Sequence, residues 1–444
     1  STTSEKSLLH PEIRNTAAVT LDGSWTVGTD PSNGTKIRLG NVGQTAITLT
    51  LNSGSSIGPS GTGNFDVMSP ISGNQKVVYK NTTAISFGNI LDANFEVNYD
   101  GVTVSSASTK SFGTVSIING ANVTFTATPV IKNILVDATS ILTTPSSASS
   151  AFITIPSGGS VVINGTVKVP KLSGFVSSNV VTPNDTYGAL QFVGTENLTL
   201  GNNSTVEYVR TATNAQFVTA RLDYKNLILS GSTPKTINGP STVLGAFTIN
   251  QTGAAAVTLA GNLSVNGSLT QTSGKLTLGA FTLTLNGAYL GDATNSLVGS
   301  ATSNLTTTGT TGTLYFDQTS PGTTNVLKNL TLSSGTATLG NVLNITAGSS
   351  SGSVTVGLGA TLTTDSNLTL KSDANGTASI GNSAGAISGN VTVERFIPGK
   401  RAWRALTSPV IGSTNNSVYA NWQNGGIVSS GVGVELWSST GGNG

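Results

Sequence analysis

Two neighbouring segments of this chain carry the same pattern of apolar and polar residues, about 20 positions apart. They read VTLAGNLSVNG (257–267) and LTLGAFTLTLNG (276–287), so Val257 matches Leu276 at an offset of 19 and Val265 matches Leu285 at an offset of 20. One turn of a β-solenoid needs about that many residues, whereas a hairpin sheet repeats after roughly 8–12. The spacing therefore predicts an elongated parallel β-helix of the right-handed type, with about 20 residues per turn.

Strand alternation is found along the whole chain, and helical periodicity is almost absent. Leu49 and Leu51 alternate with Thr48 and Thr50, and the same pattern recurs at 281–285. Alternate side chains of a strand face opposite sides, so the Leu set is expected in a core and the Thr set on the surface. Asn-Gly pairs such as 266–267 and 286–287 predict turns with positive φ. The fold class is therefore all-β.

A longer repeat accompanies the short one. YKNLILS (224–230) returns as LKNLTLS (327–333), and the aromatic positions Tyr99, Tyr208 and Phe316 are 109 and 108 residues apart. We predict three superrepeats of about 108 residues within a solenoid over 16–390, of roughly 18 turns and about 85 Å. Residues 1–15 would be an N-terminal tail, cap or joint. Residues 391–444 would form a junction and a short, partial C-terminal β module.

Composition excludes several kinds of chemistry. Only 9% of residues are charged and the net charge is +2, which indicates no nucleic-acid partner. No apolar run approaches the roughly 18 residues of a membrane-spanning helix. The chain has no Cys and a single His, His10, so thiolate nucleophiles, Cys or multi-His zinc sites and a Ser-His triad in the body are ruled out. We predict no cofactor and no metal site.

Carboxylates and threonines offer two further possibilities. The 19 acidic residues are scattered, with no pair placed one turn apart beside a basic residue, so a glycosidase site is not indicated although distant residues could build one. Outward Thr pairs, such as Thr282 with Thr284, could form a flat array of the kind that binds ice. Because such pairs do not recur on every turn, ordinary strand preference for Thr explains them better.

The densest charge lies in ERFIPGKRAWR (394–404), where basic and aromatic residues interleave. A functional interpretation is a contact for glycan or an anionic partner, with Trp stacking on sugar and Arg pairing with acids. The alternative, which we favour, is a junction where aromatics cap the end of the apolar core and Arg side chains lie over it. The residues concerned are Arg395, Phe396, Lys400, Arg401, Trp403 and Arg404.

Two segments resemble a known family. STVEYVRTATNAQFVTARLDYKNLILSGSTPKTING (204–239) resembles the repeated β-solenoid segments of large secreted surface proteins of Bacteroidota. GNVTVERFIPGKRAWRALTSPV (389–410) is similar to the motif that follows the solenoid in many of them. The resemblance implies export by the type IX secretion system, display on or beyond the cell surface, and a role in adhesion or matrix.

Taken together, these features predict a non-enzymatic extracellular structural protein. It would be a rigid stalk, an adhesin or a filament subunit at the bacterial cell surface. Its partners would be further copies of itself, joined end to end, or cell-surface and glycan contacts. The alternative function is a glycan-binding or glycan-processing β-helix protein.

Overall fold

The structure is a computed structural model that describes residues 95–398, with gaps at 108, 110, 147–150, 179–187, 254 and 349–351, and shorter pieces between residues 12 and 87. All regular secondary structure in these residues is β-strand. The strands pair in parallel and stack as a β-solenoid of about 13 turns, spaced about 22 residues apart. The predicted all-β solenoid is thereby confirmed.

The first strands belong to three sheets that the chain visits in rotation. Their bounds are β1 Glu12–Ile13, β2 Ala18–Leu21, β3 Ser24–Thr26, β4 Lys36–Leu39, β5 Thr48–Leu51, β6 Ser56–Gly58, β7 Asn64–Asp66, β8 Lys76–Tyr79 and β9 Ser86–Phe87. The sheets are β1-β4-β7-β9, β3-β6, and the start of an 11-stranded sheet through β2, β5 and β8.

In the next part of the chain, each turn has two main strands. One lies in the 11-stranded sheet and the other in a nine-stranded sheet. The bounds are β10 Glu96–Asp100, β11 Thr103–Ser106, β12 Ser111–Ile118, β13 Asn122–Phe125, β14 Val130–Val136, β15 Ile141–Thr143, β16 Ile153–Ile155, β17 Ser160–Ile163, β18 Thr166–Val169, β19 Val176–Ser178, β20 Leu190–Phe192, β21 Leu198–Leu200 and β22 Thr205–Tyr208.

The cross-section then changes from two strands per turn to three. The long strand β14 pairs with β16 through Val130 and with β17 through Asn133, so two short strands continue where one long strand ended. The strands that follow are β23 Gln216–Val218, β24 Asn226–Gly231, β25 Lys235–Ile237, β26 Ser241–Val243, β27 Phe247–Gln251, β28 Val257–Leu259, β29 Leu263–Val265, β30 Leu269–Ser273, β31 Leu276–Thr277, β32 Thr282–Leu285, β33 Tyr289–Leu290, β34 Leu297–Val298 and β35 Asn304–Thr307.

The last turns keep three strands each. A seven-stranded sheet runs β26-β29-β32-β35-β38-β41-β46, beside two four-stranded sheets, β36-β39-β42-β47 and β37-β40-β43-β48. The bounds are β36 Gly312–Leu314, β37 Val326–Leu327, β38 Asn329–Leu332, β39 Thr336–Leu339, β40 Leu343–Ile345, β41 Ser353–Val356, β42 Thr361–Thr363, β43 Leu368–Leu370, β44 Ser372–Asp373, β45 Gly376–Thr377, β46 Ser379–Ile380, β47 Ala386–Ser388 and β48 Val391–Val393. The β44–β45 pair is an antiparallel hairpin.

The predicted register is confirmed where the sequence repeat is clearest. Val257 is the partner of Leu276, and Val265 is the partner of Leu285. The turns are on average slightly longer than expected, about 22 residues instead of 20. Thr166 pairs with Thr205, since the strands β19, β20 and β21 lie between these two turns of the nine-stranded sheet. About 13 turns at about 4.8 Å correspond to roughly 60 Å.

The core consists of apolar ladders that run along the axis of the solenoid. In the nine-stranded sheet, one inward position is apolar and buried in nine successive turns: Val104, Val123, Leu142, Val167, Val206, Leu227, Phe247, Leu269 and Tyr289. No turn can bury these side chains alone, so stability comes from contacts between neighbouring turns. Leu49 and Leu51 are buried as expected, whereas Thr48 and Thr50 are partly exposed.

The glycines of the Asn-Gly pairs are needed for close stacking of the turns, and not for a positive φ. Gly267 and Gly287 have no positive φ, so the predicted turn type at these Asn-Gly pairs was wrong. A Cβ on Gly267 would lie 2.4 Å from the carbonyl oxygen of Gly245, and a Cβ on Gly287 would lie 2.4 Å from that of Gly267. Glycine is required because successive corners stack too closely for a side chain.

The aromatic positions of the superrepeat are all buried, but they occupy different sheets. Tyr99 lies in the 11-stranded sheet, Tyr208 lies in the nine-stranded sheet, and Phe316 bridges Leu297 of the sheet β23-β25-β28-β31-β34. Residues about 108 positions apart in the sequence therefore do not occupy equivalent places around the solenoid.

Candidate functional site

The described part of the basic and aromatic segment follows the last solenoid strand. β48 pairs with β43, and the next residue, Glu394, donates its backbone N–H to the Leu370 carbonyl at 2.9 Å and forms an ion pair with Lys371. Phe396 donates its backbone N–H to the Ser372 hydroxyl at 2.9 Å. Its side chain is 44% exposed, and Arg395 is exposed. Lys400, Arg401, Trp403 and Arg404 lie outside the described residues.

An open cleft of about 320 Å³ adjoins this segment. It runs across several successive turns and ends beside the β44–β45 hairpin. Its lining is mostly hydroxyl, amide and small apolar side chains, with one cation and one carboxylate: Ser300, Ala301, Gly322, Thr323, Val326, Asn344, Thr346, Ala347, Lys371, Ser372 and Asp373. No aromatic side chain lines it.

Most polar groups of the cleft already have partners within the chain. Lys371 is paired with Glu394, and the Ser372 hydroxyl is hydrogen-bonded to the Thr377 hydroxyl at 2.7 Å. Asp373 accepts backbone N–H groups of the hairpin turn, from Asn375 at 2.7 Å and from Gly376 at 3.1 Å. The two charged side chains that line the cleft, Lys371 and Asp373, are thus both engaged in contacts within the chain.

Carboxylates elsewhere in the described residues hold the solenoid together. Glu96 pairs with Lys76, and Glu207 pairs with Lys168. Asp317 is 3% exposed; burial would raise its pKa, but hydrogen bonds from Lys275 and Thr319 outweigh burial and hold the pKa below the ordinary 3.8. Within the described part of the chain, no three His, Cys, Asp or Glu side chains gather to hold a metal ion.

The outward face of the seven-stranded sheet carries a row of hydroxyl groups. Six successive turns contribute Thr242, Ser264, Thr284, Thr306, Thr331 and Thr355, each partly exposed. A two-dimensional Thr array would need a second column two residues earlier. That column is mixed, since Asn304, Asn329 and Ser353 follow Thr282. The Thr pairs therefore do not recur, as the sequence indicated.

Asparagines form a ladder in that second column. Asn329 donates its side-chain N–H to the Asn304 side-chain oxygen at 2.8 Å and accepts the backbone N–H of Ser353 at 3.2 Å. Asn286 donates in the same way to Asn266 at 2.8 Å, at the end of the strand. These bonds join successive turns and give a structural reason for the Asn-rich composition.

The opening of the five-stranded sheet contains a buried polar corner that the sequence reasoning missed. Lys235 is 1% exposed, Arg210 is 6% exposed, and Gln216 is fully buried. Gln216 is the register partner of Lys235 and donates hydrogen bonds to the carbonyls of Val169 and Lys171 at 2.7 and 2.8 Å. A signal was present: Lys235 and Ile237 are two residues apart in one strand, so they share the inward face.

A buried tyrosine pair lies in the same region. The hydroxyl groups of Tyr208 and Tyr224 are 2.9 Å apart. The Tyr224 hydroxyl donates to the Thr219 carbonyl at 2.7 Å, and the Thr219 backbone N–H donates to the Tyr208 hydroxyl at 3.0 Å. Burial raises the pKa of both tyrosines, so both stay neutral and act as structural hydrogen-bonding groups.

The fold places the chain in the class of parallel β-solenoid proteins. Comparison with protein-family models, with curated proteins and with solved structures gave no match. Among the residues that the structure describes, no helix has the length and apolarity needed to cross a bilayer.

Proposed function

We propose that this protein is a non-enzymatic structural rod that serves outside the cell as a stalk, an adhesin shaft or a filament subunit. The observation that carries the proposal is the stack of parallel strands over the residues that the structure describes. Apolar ladders are continuous from turn to turn, and the outward faces carry mainly hydroxyl and amide groups. Such a stack suits a spacer, because its length grows with the number of turns and its stiffness comes from contacts along the axis.

The chemistry of the side chains supports a mechanical role. Glu96, Glu196, Glu207, Asp223, Asp317 and Glu394 form ion pairs. Asp100, Asp137, Asp292 and Asp373 accept hydrogen bonds at corners or turns. Residues engaged in this way strengthen the scaffold and are poorly placed to exchange protons with a substrate.

An extracellular location and type IX secretion are part of the proposal through the sequence resemblance alone. A Cys-free chain with an amide- and hydroxyl-rich surface is compatible with that location. Glycan processing is not favoured, since the cleft near β48 has no aromatic lining and no paired carboxylates.

Electron microscopy of native material tests the proposal. Filaments formed by end-to-end contact would identify a polymer subunit, with residues 1–15 and 391–444 as its joints. Isolated rods on the cell envelope would identify a stalk or adhesin shaft. Compact particles that remain with the cytosolic fraction, and are not cleaved when intact cells are treated with protease, would contradict the proposal.

A further inference from the structure

The buried polar corner contains two cations that no carboxylate neutralises. Arg210 lies just after β22, and Lys235 opens β25. The Arg210 guanidinium donates to the carbonyls of Asn214 at 3.2 Å and Pro170 at 3.4 Å. The Lys235 ammonium donates to the Thr233 carbonyl at 3.4 Å. Neither side chain forms an ion pair with any residue that the structure describes.

Two other partly buried cations, Arg221 and Lys275, form ion pairs. Arg221 has two carboxylates, Glu196 and Asp223, and Lys275 has Asp317. A buried charge is costly unless a counter-charge or a full set of hydrogen bonds compensates it. Three neutral carbonyl contacts, two of them at 3.4 Å, are weak compensation for two charges.

The two cations also influence one another. Burial, and to a smaller extent the positive charge of Arg210, lower the pKa of Lys235 to about 8. Gln216 does not relieve this repulsion. Its side-chain N–H groups donate to the Val169 and Lys171 carbonyls, and its side-chain oxygen accepts the backbone N–H of Arg210 at 3.4 Å rather than either charged group.

We propose that Arg210 and Lys235 together bind a small inorganic anion of the chloride type inside the solenoid. The ligand must be small, because the two side chains are 6% and 1% exposed. It must be an anion, because both groups present only N–H donors. The site lies at the opening of the five-stranded sheet, between the end of β22 and the start of β25, so the anion would hold these strands together.

Thermal unfolding of the full chain at neutral pH tests the site, in chloride, bromide and gluconate salts of sodium at equal ionic strength. Equal ionic strength keeps general screening constant, and gluconate is too large to enter. We expect a melting temperature about 1–2 °C higher in chloride and bromide than in gluconate. Lys235→Met should abolish the difference. Lys225→Met should keep it, because this lysine is partly exposed and forms no ion pair with a described residue.

A crystal grown in bromide locates the anion independently, and this measurement does not depend on whether Lys235→Met folds. An anomalous peak in contact with both the guanidinium and the ammonium group supports the proposal. A halide effect that persists in Lys235→Met, or the lack of a peak between the two groups, would overturn it. A peak without any halide effect on wild-type melting would mean an adventitious ion only, and would also overturn it.

Discussion

Leu283 offers the sharpest test of how the stack is held together. Its side chain is fully buried between Leu263 of the preceding turn and Leu305 of the next. Truncation to alanine removes buried apolar surface and leaves a cavity. The hydrogen-bonded strands of the preceding and following turns keep their spacing, so the cavity does not close. Substitutions of this kind cost about 2–5 kcal/mol in the free energy of unfolding. We expect Leu283→Ala to fall in that range.

The matched control is the next residue, Thr284, which points outward on the same strand. Thr284→Ala should change stability by no more than about 0.5 kcal/mol. Both variants are compared by denaturant unfolding and by hydrogen exchange of backbone amides. Because each turn contacts mainly its neighbours, the loss of protection in Leu283→Ala should be concentrated in β29, β32 and β35. Equal costs for the two variants, or a loss of protection spread evenly to β10 and β12, would refute the ladder account.

Three further predictions concern polar groups. Because the folded pKa of Lys235 is about 8 against an ordinary 10.5, the stability of the wild type relative to Lys235→Met, measured by calorimetry in gluconate, should rise by about 3 kcal/mol as pH increases across that interval. The comparison cancels the effect of the buried tyrosines, whose raised pKa values lower the stability of both proteins in the same pH range. Asp317→Asn should cost about 1–3 kcal/mol at neutral pH. The difference should shrink as pH falls below 3.8, where the wild-type carboxylate takes up its proton; a difference that is independent of pH would exclude the ion pair with Lys275 as its source. Asn329→Ala should cost about 1–2 kcal/mol by urea unfolding, and Asn375→Ala, at an exposed hairpin turn, should cost much less; similar costs would show that the asparagine ladder does not contribute.

Much of the fold follows from the sequence, because a solenoid turn depends on local alternation. The pairing of Val257 with Leu276 and of Val265 with Leu285 could be predicted from the repeat alone. The change from two to three strands per turn could not. It depends on how β14 is replaced by β16 and β17, which is a property of stacking between turns and leaves no periodic signal.

The candidate sites were harder to predict than the fold. Arg395 and Phe396 stood out through charge and aromatic density, and the structure places both at the surface beside the cleft. The cleft itself joins residues from distant turns, so no linear motif marks it. Arg210 and Lys235 were overlooked because a charged side chain is normally assigned to the surface. The only sequence signal for a buried Lys235 was its spacing of two residues from Ile237, which places both on the same face of the strand.

Cryo-electron microscopy of the purified chain, at a resolution that separates strands, tests the central claim most directly. We expect parallel strands about 4.8 Å apart along the particle axis, with Leu263, Leu283, Leu305 and Leu330 stacked in one ladder. Antiparallel hairpins in place of stacked turns, or those leucines distributed on different faces, would contradict it.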